Sequence, residues 1–265
     1  MNAAKIAERS AQLLSLEGRV AIVTGAGSGI GREISIRLAE MGASVVILDK
    51  NSETARETAD RINPLGVGAL AIACDVTSRS ACQRATEQAV DAFGRIDILC
   101  NNAGIVVRKD AVSLEEREWD TVLAVTLKSV YLLSHEVIPH MVRNGGGSII
   151  NTGSGWSVKG GPRAVAYCAA KGAVLNLTRA MAIDHGRQNI RVNCVCPGDI
   201  DTPMLADECR QLAQDHNQFM TEAANRPLGR IGSAGEVADA VLFLASDMSK
   251  WVTGAALVVD GGGLA

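Results

Sequence analysis

From about residue 19 to the C-terminus, short runs of β-branched and aliphatic residues alternate with segments of helix length, and this alternation leaves few folds open. Strands are expected at Val20–Thr24, Ser44–Leu48, Ala69–Ala73, Ile96–Asn101, Ser148–Thr152, Ile190–Cys196 and Ala256–Val259. Helices are expected near Ile30–Met41, Ser52–Ile62, Arg79–Phe93, Glu115–Arg143, Ala164–His185 and Glu236–Ser246. Strands joined through helices pair in parallel, and right-handed crossovers put helices on both faces of the sheet. The expected fold class is therefore α/β, a single doubly wound domain over 18–265 with about seven parallel strands, preceded by an N-terminal extension, 1–17. With eight aromatic residues among 265, the core must be built from Ala, Val, Ile and Leu, as a sheet buried on both faces requires. Pro139 inside the fifth helical segment predicts a kink or break near its C-terminal end. Residues 199–230 interrupt the alternation, and an insertion of that length is either a lid over the site or an exposed connector.

A net charge of −3 and a pI near 5.9 offer no attraction to nucleic acid or anionic membrane. No continuous apolar run reaches the ~18 residues of a span. Met1–Leu16 carries Lys5, Glu8 and Arg9 without the apolar core of a signal peptide, so a cytoplasmic location is expected. Seven scattered cysteines without a CxxC pair argue against a disulfide framework. Cys194 and Cys196 alternate along a strand, would share one face, and are expected as packed thiols; no metal site is expected.

Thr24-Gly25-Ala26-Gly27-Ser28-Gly29-Ile30-Gly31 follows the first strand and opens the first helix. Glycines there let the backbone turn sharply and approach a pyrophosphate, while helix N-terminal amides favour an anion. The spacing is Gly-x-x-x-Gly-x-Gly, and its strand-turn-helix context points to a dinucleotide loop using Gly25, Gly27, Ser28, Gly29, Ile30 and Gly31. Asp49 ends the second strand, where a carboxylate accepts from ribose hydroxyls and opposes a 2′-phosphate. NAD(H) is therefore favoured over NADP(H), with Lys50 next door softening the preference. Asp75 reads equally as an acceptor for the adenine amino group or as a turn cap, and the Val76 backbone adjoins the ring position.

Tyr167 and Lys171 stand one helical turn apart in Tyr167-Cys168-Ala169-Ala170-Lys171, which places a phenol and an ammonium on one face. An adjacent cation is expected to lower the phenol pKa by roughly one to three units. Such a tyrosine exchanges a proton with a hydroxyl or carbonyl, while the Ser154 hydroxyl holds the same oxygen. The triplet points to alcohol–carbonyl redox chemistry.

Together these motifs resemble the short-chain dehydrogenase/reductase superfamily, whose Rossmann-type fold the resemblance implies from Gly18 onward. Asn101-Asn102-Ala103-Gly104 is similar to the family's fourth-strand motif, so Asn102, Ala103 and Gly104 are implied beside the adenosine. Pro197-Gly198-Asp199-Ile200-Asp201-Thr202 resembles its nicotinamide segment, implying Pro197, Gly198, Ile200 and Thr202 as contacts. The resemblance implies Tyr167 as acid/base, Lys171 as the group that tunes it and binds the nicotinamide ribose, and Ser154 as holder of the reacting oxygen. One departure stands out. Thr126 occupies the place of the family's proton-relay asparagine, which implies a weakened or rerouted relay.

Ser154, Trp156, Arg108 and Arg163 are the substrate-pocket candidates; the arginines either hold a carboxylate or sugar hydroxyls or are solvated at the surface. The expected activity is NAD-dependent interconversion of a secondary alcohol and a ketone on a small sugar, polyol or hydroxy acid. The alternatives are a 3-oxoacyl thioester reductase and a catalytically weak NAD-binding regulator. The resemblance also implies a homo-oligomer, tetramer or dimer. Val122, Val125 and Val130 on one long helix and Ala173, Leu177 and Met181 on the other either face that interface or are buried within one monomer.

Overall fold

A computed structural model describes residues 9 and 11–265; of the expected extension 1–17, residues 1–8 and 10 lie outside the described residues. Seven strands form one parallel sheet: β1 (Val20–Thr24), β2 (Ser44–Asp49), β3 (Ala69–Ala73), β4 (Ile98–Asn101), β5 (Gly147–Thr152), β6 (Ile190–Pro197) and β7 (Ala256–Val259). Their order is β3-β2-β1-β4-β5-β6-β7. The chain reverses its direction of winding between β1 and β4, and a crevice opens beyond the carboxyl ends of strands at such a point.

Alternation along each strand feeds two cores. On β2, Val45 and Ile47 face α1 (Gly29–Glu40), α2 (Ser52–Ile62) and α9 (Ala234–Ala245) through Ile34, Leu38, Ile62 and Val241. Val46 and Leu48 face the other side, where α3 (Arg79–Phe93), α5 (Ser129–Arg143) and α6 (Val165–His185) contribute Cys82, Leu133, Met141 and Met181. Full burial of such a side chain is worth about 1.5 to 3 kcal/mol, so neither layer can be stripped without loss of the sheet. β4 begins at Ile98, two residues later than expected; Asp97 just before it bonds through its backbone to Val20 and Ser148, and its side chain accepts from the Val20 amide (2.9 Å) and the Arg95 guanidinium.

The long helical segment departs from expectation in three ways. It runs from α4 (Glu116–Leu123) through a π turn at Ala124–Lys128 into α5. It continues past Pro139 to Arg143 instead of breaking there; Pro139 and His135, whose carbonyl loses its amide partner, both lie on the solvent side. Its 28 residues, with a mean hydropathy of 1.3 over the most apolar stretch, also meet the length and composition of a membrane span, contrary to the sequence reading. The apolar residues responsible, among them Leu132, Leu133, Val137 and Met141, pack on the sheet.

Of the six residues considered for an interface, Val122, Val130 and Met181 are buried within the monomer, so the buried-pair reading holds for them. The large exposed apolar residues on these helices are instead Tyr131, Val142 and Ile183. All seven cysteines are free, and Cys194 Sγ lies 3.8 Å from Cys196 Sγ on one face of β6.

Residues 199–230 fold as α7 (Pro203–Leu212) and α8 (His216–Ala223), capped by Thr202 and Asp215 and joined by a small core of Leu205, Cys209 and Phe219. The two ends of the insertion meet: Ile200 bridges to Gly232, and Asp199 and Asp201 exchange backbone hydrogen bonds with it.

Candidate active site

A cleft of about 600 Å³ runs along the carboxyl ends of the strands, with the loops after β1 and β4 forming its middle. Those loops abut closely. A Cβ on Gly25, which sits at φ +60°, would come within 3.0 Å of the Ala103 Cα, and one on Gly31 would run into the Gly25 carbonyl and the Asn102 side chain. Thr24 ties the loops together, its hydroxyl accepting from the Asn102 and Ala103 amides at 2.9 and 3.0 Å, while Asn102 Nδ2 donates to the Thr24 carbonyl. The opening turn of α1 has no side-chain cap, since Ser28 is extended and makes no such bond. Gly25, Ser28, Gly29 and Ile30 border the cleft there, a cradle suited to a pyrophosphate. Gly27 and Gly31 lie behind it, where their missing side chains allow the packing.

Asp49, Lys50, Asp75 and Val76 line one end of the cleft. The Asp49 carboxylate accepts from the Gly27 and Asn51 amides, both at 2.9 Å, which fixes it beside the glycine loop. Asp75 accepts from the Thr77 amide and hydroxyl, and these bonds hold its carboxyl below the usual range, so its turn-capping role is real. Arg32, which the sequence reading passed over, reaches back to the Gly27 carbonyl, but Glu57 and Thr58 already engage its guanidinium.

At the other end, Ser154, Trp156, Tyr167, Lys171, Pro197, Gly198, Ile200 and Thr202 line the wall, with Asn102, Ala103 and Gly104 between the two ends. Tyr167 and Lys171 lie one turn apart near the start of α6, both buried. Lys171 Nζ donates to the Thr152 carbonyl (2.6 Å) and stands 5.6 Å from the Tyr167 ring centre. Burial lowers its pKa from 10.5 to about 8, with Cys194 and Cys196 opposing. The Tyr167 phenol departs from the sequence expectation: it is shifted upward, not downward. Burial desolvates the phenolate, Glu208 adds to the effect, and the Ser154 hydroxyl opposes it.

Thr126 lies in the π turn, buried, and outside the cleft wall. Its hydroxyl donates to the Ile105 carbonyl and accepts from the Ile105 amide, both at 3.2 Å. A Cβ on Gly104 would stand 3.5 Å from Lys171 Nζ and 3.6 Å from Thr126 Oγ1, so the two side chains flank the same glycine.

The two arginines part company. Arg163 is exposed and does not border the cleft. Arg108 is neither solvated nor open to the cleft: it is paired with Glu208 of α7 at 2.5 Å, donates to the Pro162 carbonyl, and lies 5.0 Å over the Trp156 ring. Glu208, Asp199, Arg226 and Leu264 line the pocket without having been singled out from sequence.

The profile of a family described as Enoyl-(Acyl carrier protein) reductase matches residues 25–263. The (2S)-[(R)-hydroxy(phenyl)methyl]succinyl-CoA dehydrogenase subunit of Thauera aromatica is 41% identical over 250 residues, covering 94% of this chain and 98% of that protein. This chain belongs to the short-chain dehydrogenase/reductase superfamily. Among other superfamily members, the 3-oxoacyl-[acyl-carrier-protein] reductase of Thermotoga maritima is 37% identical, covering 94% of this chain and 99% of its own. A 7α-hydroxysteroid dehydrogenase, solved with NADH and 7-oxo glycochenodeoxycholic acid, superposes with a TM-score of 0.88 at 37% identity, covering 95% of this chain and 96% of that one. The superfamily assignment makes the chain an oxidoreductase that uses a nicotinamide cofactor, and the cradle of Gly25, Ser28, Gly29 and Ile30 fits such a group.

Proposed function

We propose that this protein is an NAD-dependent dehydrogenase that interconverts a secondary alcohol and a ketone on a small hydroxylated substrate such as a sugar, polyol or hydroxy acid. The observation that carries the reading is one cleft bordered by Asp49 at one end and by Ser154, Tyr167 and Lys171 at the other. A bound nicotinamide supplies the hydride acceptor or donor. The chain's own residues then act at the substrate oxygen. Tyr167 Oη takes up or delivers the proton, the Ser154 hydroxyl holds that oxygen, and Lys171 Nζ is placed to bind ribose hydroxyls while fixed by Thr152.

The preference for NAD(H) rests on Asp49, whose carboxylate would meet a 2′-phosphate with like charge and could not accept from it. At least a tenfold preference, roughly 1.4 kcal/mol, is expected. Titration of both cofactors, followed by oxidation of a broad panel of secondary alcohols, tests both halves. Equal or tighter NADP(H) binding overturns the cofactor assignment, and Asp49→Ser should narrow the gap. NAD binding without turnover of any alcohol would favour the regulatory reading. A 3-oxoacyl thioester reductase is the second reading, supported by the Thermotoga relative; reduction of a 3-oxoacyl thioester with NADPH in preference to NADH would establish it. Cytoplasmic location and homo-oligomeric assembly, as tetramer or dimer, belong to the same proposal; free thiols support the first, and exposed Ile183 and Trp251 the second.

A further inference from the structure

Charged side chains gather on the side of the cleft formed by the 199–230 insertion. Glu208 lines the cavity, whereas Arg108, only 7% exposed at its side chain, does not border it. The carboxylate therefore stands between the guanidinium and the substrate space. Arg108 Nη1 donates to Glu208 Oε2, Nη2 donates to the Pro162 carbonyl, and the plane rests on Trp156, so both terminal nitrogens of this arginine are engaged and one of them holds Glu208 in place. Glu208 Oε1 accepts from no protein group among the described residues, which leaves an acceptor for a ligand. The second arginine on this side, Arg226, is paired with Asp199, and both border the cleft. Of the lysines on this side, Lys171 is fixed by Thr152 at the reacting end, and Lys159 is exposed at the rim, donating to the Gly263 carbonyl. Among the described residues, each guanidinium on this side has a carboxylate partner, and the one donor left over, Arg108 Nε, is buried.

On the alcohol–ketone reading above, we propose that Glu208 determines specificity by accepting a hydrogen bond from a second hydroxyl of a neutral polyol or sugar and by repelling substrates that carry a carboxylate there. An anion entering would meet a like charge before reaching Arg108, and like-charge contact is an effective means of rejecting a near-isosteric competitor. The inference selects among the three classes named above, in favour of sugars and polyols and against hydroxy acids.

Matched pairs test it: 1,3-butanediol against 3-hydroxybutyrate, and sorbitol against gluconate, with NAD as acceptor. Alkaline pH is used because burial, with Asp199 and Asp207 adding to it and Arg108 opposing, raises the Glu208 carboxyl above its ordinary range. The neutral member should exceed the anionic one in kcat/KM by about tenfold or more, and Glu208→Gln, which keeps the shape and removes the charge, should shrink that ratio severalfold. Preference for the anion in the unaltered protein, or an unchanged ratio in Glu208→Gln, overturns the proposal. If none of the four is oxidised although NAD binds, the alcohol–ketone reading is what suffers. Glu208 is then judged by calorimetric binding of the same pairs to the NADH complex, where equal affinity or no binding of either member overturns its role.

Discussion

Tyr167 works against its surroundings. Its phenol is held in the protonated form by burial and by Glu208, which suits the acid of ketone reduction; oxidation requires the phenolate. The sign follows directly: with the pKa raised, kcat/KM for oxidation should keep climbing through the alkaline range instead of levelling near neutrality. A pH profile checks this. Tyr167→Phe should keep NAD affinity while turnover falls by about 10² to 10⁴. Lys171 carries the opposite burden, an ammonium whose pKa burial lowers from 10.5 to about 8, and that difference corresponds to roughly 3 kcal/mol of strain on the folded state. Because the unfolded chain holds this proton more tightly, the penalty is full below pH 8 and fades as pH rises towards 10.5. Lys171→Met should therefore abolish turnover yet raise the melting temperature at pH 7, with the gap to the unaltered protein closing at alkaline pH. Thr126, in turn, ties the long helix to the Ile105 backbone. Thr126→Val removes both bonds to Ile105 and should cost about 1 to 3 kcal/mol in denaturant titration, along with turnover. Unchanged stability and rate would reduce this threonine to packing.

Among the elements, those legible in sequence are the ones whose signals are local. Ser52–Ile62 and Arg79–Phe93 match expectation at both ends because Asn51 and Ser78 cap them and apolar residues recur at helical spacing. The glycine loop is equally legible, since turn, φ and close approach all demand the same residue. Gly31→Ala would drive a Cβ into the Gly25 carbonyl, and the resulting backbone shift should weaken NAD binding and cost about 1 to 3 kcal/mol by thermal melts. What the sequence reading missed depends on contacts distant along the chain. Nothing near Ala124–Lys128 announces a π turn, and the consequence of Pro139 depends on which side of α5 faces water. Arg108 meets Glu208 across 100 positions, so a residue taken for a substrate ligand or a solvated surface group proves to be the support of another. The Tyr167 shift escapes the sequence for the same reason: spacing reveals the neighbouring lysine but not the burial that raises the phenol pKa.

At the scale of the whole molecule, the cleft lies where the sheet reverses its winding, so a bound cofactor contacts loops from both halves of the sheet. A ligand present at about a hundred times its Kd adds roughly 2.7 kcal/mol to stability. NAD at that excess should raise the melting temperature by about 5 to 10 °C, and NADP at the same concentration by less. The 199–230 insertion adds a different property. Its ends are stitched together at Ile200 and Gly232, and its helices carry a small core of their own. An insertion closed at its base is a cassette: residues 199–230 could be exchanged for those of a relative without re-threading the sheet. The exchange would carry one condition, since position 108 lies outside the cassette and supports Glu208 within it. A transplanted insertion lacking that carboxylate would leave a buried guanidinium unpaired, so the two positions must travel together in any such exchange.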